Sequence, residues 1–228
     1  MLIISGTFKR NFRKDETSKI HSLSQKSSDI IYLKFLDFTD CTKFFPDYSK
    51  EDQIKIHCIL GGTPFYLKQF DPNESIENNI KNILLNKGSI MYQEVDYTLS
   101  FALKEKLIYD PIIRAIAFGN SFISDISKSA NIKNPKKTYM HVKQLVELGI
   151  INEELHVNFR GIPDIEDYHY SIHNPYIMFY YRFIFPNITY IETKEIDYVY
   201  KKIMGSFPLY IKNLGKLIPI RGKNDGLL

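Results

Sequence analysis

The sequence predicts a mainly α protein with a small amount of β. Three observations carry this. From Ser49 onward the chain is a series of helix-patterned segments with capping residues at their starts. Residues 110–172 read as three short helices followed by two strands. Upstream, only residues 2–4 and 30–36 have strand character.

Leu2, Ile3 and Ile4, followed by Ser5, Gly6 and Thr7, predict a short buried strand that ends in a loop. Continuous apolar strands of this kind sit inside parallel sheets, covered on both faces. Residues 9–29 are polar and charged, and predict a loop and a ragged helix. Residues 30–36 predict a second strand. The strand at 2–4 has almost nothing upstream to pair with, so its neighbours are expected in another chain or in an upstream part of a larger protein.

Ser49 precedes a helical stretch over 50–60, with Asp52 three residues later as a first-turn acid. Helices are expected over 64–70, 73–87, 89–107 and 110–118. Asn73 and Asp110 read as caps, and Pro64 and Pro111 suit first helical turns. The helix over 110–118 ends at Gly119. A second spans 122–130, and a third spans 135–148 and ends at Gly149. Strands over 150–158 and 167–172 flank a loop that holds Arg160, Gly161, Ile162 and Pro163. Three helices and then a hairpin is the order of a winged helix-turn-helix.

The third helix has two faces. Val142, Leu145, Val146 and Gly149 follow the i, i+3, i+4, i+7 spacing of a core stripe, with Tyr139 as an earlier member. Lys136, Met140, Lys143 and Glu147 share the outer face, with Lys137, His141 and Gln144 beside it. Lysines near the start of such a helix neutralise phosphates when the helix enters a major groove. Lys136, Lys137, Lys143 and Arg160 are therefore the candidate DNA contacts, and Lys128 and Lys133 extend the patch. The alternative is a helix used for packing or protein contact, its lysines serving solubility. Glu147, Glu153 and Glu154 dilute the charge.

Gly61 and Gly62 follow an apolar run, and Lys68 comes six residues after Gly62. A phosphate-binding P-loop places lysine directly after its last glycine, with Ser or Thr next. Here Leu67 precedes Lys68 and Gln69 follows it. Pro64 also removes an amide where a phosphate cradle needs donors. A helix break fits better: the glycines end one helix, Thr63 caps the next and Pro64 starts it.

Other chemistry is not signalled. His169 and His173, four apart on a strand, stand about 13 Å from each other, too far for one metal without a bend. Glu153 and Glu154 are expected in solvent. No metal site and no catalytic set is assigned. Net charge is +4, which permits an acidic partner without demanding one. Two cysteines, Cys41 and Cys58, form no paired motif, so a reducing cytoplasm is expected. No stretch approaches the roughly 20 apolar residues of a membrane span. The apolar segment 176–185 carries Arg182 and reads as core.

Several ordered motifs carry a family resemblance. Leu60-Gly61-Gly62-Thr63-Pro64-Phe65-Tyr66-Leu67, followed by Ser75-Ile76-Glu77-Asn78-Asn79-Ile80, resembles the "GG-x-P-x-YL … s-ieeNI" signature of the archaeal-type ATPases, a branch of the P-loop NTPases. Ile112 to Gly119 is similar to their "IL-x-AIA-x-G" helix, and Leu145 to Ile151 to their "L-x-x-L-GII" winged-helix ending. Tyr170-Ser171-Ile172-His173-Asn174-Pro175-Tyr176, with residues 179–187, resembles their "Y-x-I-x-DP-flrFwyrFv-x-PN" segment.

The resemblance implies residual strands of a P-loop core over 1–48, a helical lid over 49–107 and a winged helix-turn-helix over 108–174. Residues 175–228 would begin a truncated C-terminal domain and tail. It implies a sensor position at Ser5, Gly6 and Thr7, and a structural signature at Gly61, Gly62, Pro64, Tyr66 and Leu67. ATP and magnesium belong to the full-length family; Walker A and B have no counterpart in this sequence, so no cofactor is expected for the chain alone. Further departures are a missing "SPLYGR" run before residue 30, Asn174 in place of the usual Asp, and no nuclease-like motif after Gly205, Ser206 and Phe207. The chain reads as clipped at both ends.

The expected function is thus the lid and winged-helix portion of an archaeal-type ATP-binding protein, inactive alone and binding double-stranded DNA. The alternative is an interaction module that docks on a separate ATPase chain, or on itself, through the strand edge at 2–4 and the aromatic segment 176–185.

Overall fold

A computed structural model describes residues 34–156 and 163–214. The described residues are mainly helical with one small antiparallel sheet. In order, the elements are α1 (Phe38–Thr42), α2 (Lys50–Leu60), α3 (Pro64–Leu67), α4 (Ile76–Asn79), α5 (Ile90–Ala102), α6 (Lys106–Ala117), α7 (Ile123–Ser129) and α8 (Pro135–Leu148). Then come β1 (Ile151–Leu155), β2 (Tyr168–Ile172), α9 (Pro175–Phe179), α10 (Ile188–Glu192) and α11 (Ile196–Leu214). The strand expected at 2–4, residues 30–33 of the one expected over 30–36, and the sensor residues Ser5, Gly6 and Thr7 lie outside the described residues; residues 34–36 are described and are not a strand.

Two compact units form. One contains Thr98–His173; the other joins Phe35–Tyr97 to the residues from Asn174 on.

The second unit is built on aromatic packing. Tyr176, Phe179, Tyr180, Tyr181, Phe183 and Ile184 are all buried. Phe183 meets Tyr210 of α11 edge-on at 5.0 Å, and Phe179 meets Phe207 at 6.4 Å. Buried tyrosine hydroxyls find acceptors, as they must in a dry interior. Tyr176 donates to the Met91 carbonyl at 2.6 Å, Tyr180 to Asp96 at 2.8 Å and Tyr210 to the Cys58 carbonyl at 3.2 Å. The segment read both as core and as a docking element is largely buried within its own unit.

The glycine pair lies in this unit. Gly61 ends α2 at φ 64, in the left-handed region. A Cβ there would stand 2.8 Å from the Pro175 ring. At Gly62 a Cβ would stand 2.0 Å from the Leu36 carbonyl oxygen, because Leu36 N–H donates to the Gly62 carbonyl at 2.8 Å. These glycines allow two backbone segments to touch. Pro64 starts α3 as expected. Leu67 is buried, and the buried Tyr66 packs its ring 5.1 Å from that of Tyr176. The Gly-Gly and Asn-Pro-Tyr motifs, more than a hundred residues apart in sequence, are thus one packing contact.

Two expected caps are corrected. The residue that caps α4 is Ser75, whose hydroxyl accepts from Asn78 N–H at 3.1 Å, not Asn73. Past α4 the helix widens to a π-turn over Ile80–Leu84. Asp110 is not a cap either. The helix starts at Lys106, and Asp110 is buried inside it, 2.9 Å from the Lys106 ammonium four residues earlier. An ion pair one turn apart on the same face holds that carboxylate. Pro111 consequently sits inside α6, where it removes the bond to the Leu107 carbonyl.

Candidate nucleic-acid interface

In the Thr98–His173 unit, α6, α7 and α8 precede the β1–β2 hairpin. The hairpin register pairs Ile151 with Ile172, Glu153 with Tyr170 and Leu155 with Tyr168. Residues 157–162 between the strands, Arg160 among them, lie outside the described residues.

The turn from α7 to α8 is set by hydroxyls. Thr138, fully buried, donates to the Ser127 hydroxyl at 3.0 Å, and Ser127 donates to the Ile132 carbonyl at 2.6 Å. Asn131 occupies the left-handed region at φ 56, a conformation Asn tolerates. Asn134 then caps α8, its side-chain oxygen accepting from Lys136 N–H at 3.0 Å. Gly149 closes the helix at φ 76. α7 has no cap of its own; Glu166, from the segment before β2, accepts from Ser124 N–H at 3.3 Å.

Of the expected stripe Val142 and Leu145 are buried, whereas Tyr139, Val146 and Gly149 are only half-buried; the core face runs instead through Thr138, Val142, Leu145 and Leu148. The outer face is divided. Lys136 and Lys137 are exposed in the first turn, and Met140 is 71% exposed one turn on. Lys128 at the end of α7 and Lys133 in the turn are exposed as well. None of these lysines makes an ion pair among the described residues.

Lys143 behaves differently. Its ammonium lies 2.7 Å from Glu153 Oε2 on β1 and above the Tyr139 ring. Tyr170 on β2 donates to Glu153 Oε1 at 3.0 Å. Expected in solvent, Glu153 is instead half-buried and doubly bonded. Its charge holds the Lys143 ammonium above the usual lysine range, and burial followed by that charge pushes the Tyr170 hydroxyl up.

The neighbours on α8 are also engaged. Gln144 Oε1 accepts from Tyr109 of α6 at 2.6 Å. His141 sets its ring edge-on to Tyr109 at 5.4 Å. Burial, then the nearby Lys137 charge, holds its imidazole below the usual histidine range.

On the hairpin, His169 stacks on His156 at 5.1 Å and lies 4.3 Å from the Phe122 ring. His173 falls beyond β2, its N–H bonded to the Ile150 carbonyl. Among the described residues no three His, Cys, Asp or Glu side chains gather as a metal site, and no helix is long and apolar enough to cross a membrane.

No family model matches the chain, and no solved structure does. It is 25% identical over 231 residues to the uncharacterized protein MJECL04 of Methanocaldococcus jannaschii, in a match that covers 95% of this chain and 51% of that protein. The chain therefore spans about half the length of the relative it matches.

Proposed function

We propose that the Thr98–His173 unit binds duplex DNA through the N-terminal half of α8, as the winged-helix part of an archaeal-type ATP-binding protein. The supporting observation is the set Lys128, Lys133, Lys136 and Lys137. They lie within ten residues of chain, from the end of α7 to the first turn of α8, and are all exposed. Each phosphate neutralised releases counterions, so affinity falls with salt at a slope of about 0.9 per contact. The chain by itself does not turn over ATP, since its sequence supplies no P-loop.

The test is fluorescence anisotropy of a labelled duplex at about 50 and 200 mM salt, the range over which phosphate contacts register. Salt-sensitive binding is expected. Lys136→Ala/Lys137→Ala should weaken it on every sequence and lower the slope by about 2. Absence of binding at the lower salt would overturn the reading.

A second reading, docking on a separate ATPase chain, draws support from Phe101 and Leu107, which are 78% and 84% exposed. It predicts concentration-dependent association by light scattering, relieved by Phe101→Ser/Leu107→Ser.

A further inference from the structure

We infer that α8 grips duplex DNA without reading its sequence in the major groove. This rests on the reading above and adds the manner of recognition. Direct readout needs side chains that present a matched pair of groups, or a fixed donor or acceptor, to a base edge: Arg or Lys to guanine, Asn or Gln to adenine, Glu or Asp to cytosine. In α8 the residues of those types other than Lys136, Lys137 and Glu147 are committed to the unit itself.

Gln144 is the only amide in the helix. To read adenine it must accept from N6 with Oε1 while Nε2 donates to N7. Its Oε1 already accepts the Tyr109 hydroxyl at 2.6 Å, and Tyr109 is buried. Lys143 is held by Glu153, and Glu153 in turn by Tyr170. The Nε2 of His141 is buried, and Thr138 is fully buried. The helix contains no Arg, and Glu147 lies in its last turn, away from the lysine-bearing end.

What faces outward at that end is Lys136, Lys137 and Met140. Lysine ammoniums are flexible point charges suited to phosphate. Met140 can touch a thymine methyl but makes no directional bond. Bidentate pairs to base edges carry the discrimination of direct readout, and neither a mobile point-charge ammonium nor a thioether offers the fixed fork or amide that makes one. This surface should hold duplexes of differing sequence with affinities within about tenfold, against ratios of 10³ or more for sequence-specific readers.

The experiment uses the full chain. A randomised duplex pool is selected for binding at low salt, and the most enriched sequence is taken. Each A·T pair is then exchanged for T·A and each G·C for C·G, one at a time. These exchanges alter the major-groove pattern and leave the minor-groove pattern nearly unchanged. No single exchange is expected to shift Kd by more than about threefold, and Met140→Ala should leave that profile flat. Any exchange that costs tenfold, about 1.4 kcal/mol, overturns the inference while the DNA-binding reading stands. A pool from which nothing is retained overturns both.

Discussion

Lys143 Nζ and Glu153 Oε2 stand 2.7 Å apart, and the pair ties the third helix of its unit to the first strand of the hairpin. Glu153 also takes the Tyr170 hydroxyl, so one carboxylate joins α8, β1 and β2. Glu153→Ala leaves an ammonium and a hydroxyl without their acceptor and should destabilise the unit by about 1–3 kcal/mol. Lys143→Ala should cost less, about 1 kcal/mol, because the lysine side chain is 38% exposed and solvent screens the pair. Urea midpoints rank the two variants. The same Lys143→Ala protein should keep the native salt slope for DNA; a slope lowered by about 1 would mean that Lys143 leaves Glu153 to contact phosphate.

Gly61 and Gly62 give a sharper test, because the obstacle at Gly62 is backbone. Gly62→Ala places a methyl 2.0 Å from the Leu36 carbonyl oxygen, and the Leu36–Gly62 hydrogen bond prevents retreat. Gly61→Ala meets the Pro175 ring and a left-handed φ together. Losses of about 3 kcal/mol or more are expected for Gly62→Ala, and somewhat less for Gly61→Ala, where a ring can shift. Gly205→Ala is the control. That glycine lies within α11 with nothing among the described residues within 4 Å of a new Cβ, so alanine should stabilise by roughly 0.5–1 kcal/mol through helix propensity. Thermal midpoints that fail to separate these signs would refute the packing role of the pair.

These two sites mark what the sequence could and could not convey. Local chemistry was legible. Ser49 caps the helix it precedes, Pro64 starts α3, Gly149 closes α8, and Val142 and Leu145 of its expected stripe are core. The three-helix and hairpin order was legible for the same reason. Long-range pairing was not. Glu153 looked solvated because nothing local shows that it faces Tyr170 in register or that Lys143 reaches it. Pro111 looked like a helix start because a proline inside a helix is costly; the Lys106–Asp110 pair one turn earlier extends the helix past it. The π-turns over Ile80–Leu84 and Tyr180–Ile184 have no local signature, since they answer to packing.

Acid should weaken the unit that contains α2. His57 is buried, its Nδ1 has no hydrogen-bond partner among the described residues, and its ring sits edge-on to Phe38 at 5.4 Å. Burial holds its imidazole below the usual 6.5, with Asp37 opposing. The folded chain therefore keeps His57 neutral at a pH where the unfolded chain has bound a proton. With more protons on the unfolded state, stability falls as pH drops below about 6.5 toward the folded value. Guanidinium unfolding at pH 7.5 and 5.5 should show this loss. In His57→Leu the loss should shrink for this unit; His141, depressed in the same direction, acts on the Thr98–His173 unit instead. An equal loss in both proteins would remove His57 from the account.

The two cysteines report on the same unit from inside. Cys41 and Cys58 are free and buried. Burial, aided by Asp37 and Asp40, pushes the Cys41 thiol up to about 11, and burial alone takes Cys58 to about 12. Thiolate is the reactive form, so both should resist a disulfide reagent at neutral pH until the unit opens. Labelling in native buffer should be slower than in urea by about a thousandfold or more, the ratio that an opening free energy near 4 kcal/mol imposes. Cys41 should respond first to damage at the glycine pair, because its thiol donates weakly to the Leu36 and Gly61 carbonyls at 3.8 Å. In Gly62→Ala, labelling of Cys41 should therefore accelerate more than that of Cys58. Equal acceleration at both cysteines would mean that the unit opens only as a whole, and that the Leu36–Gly62 contact is no weaker than the aromatic core around it.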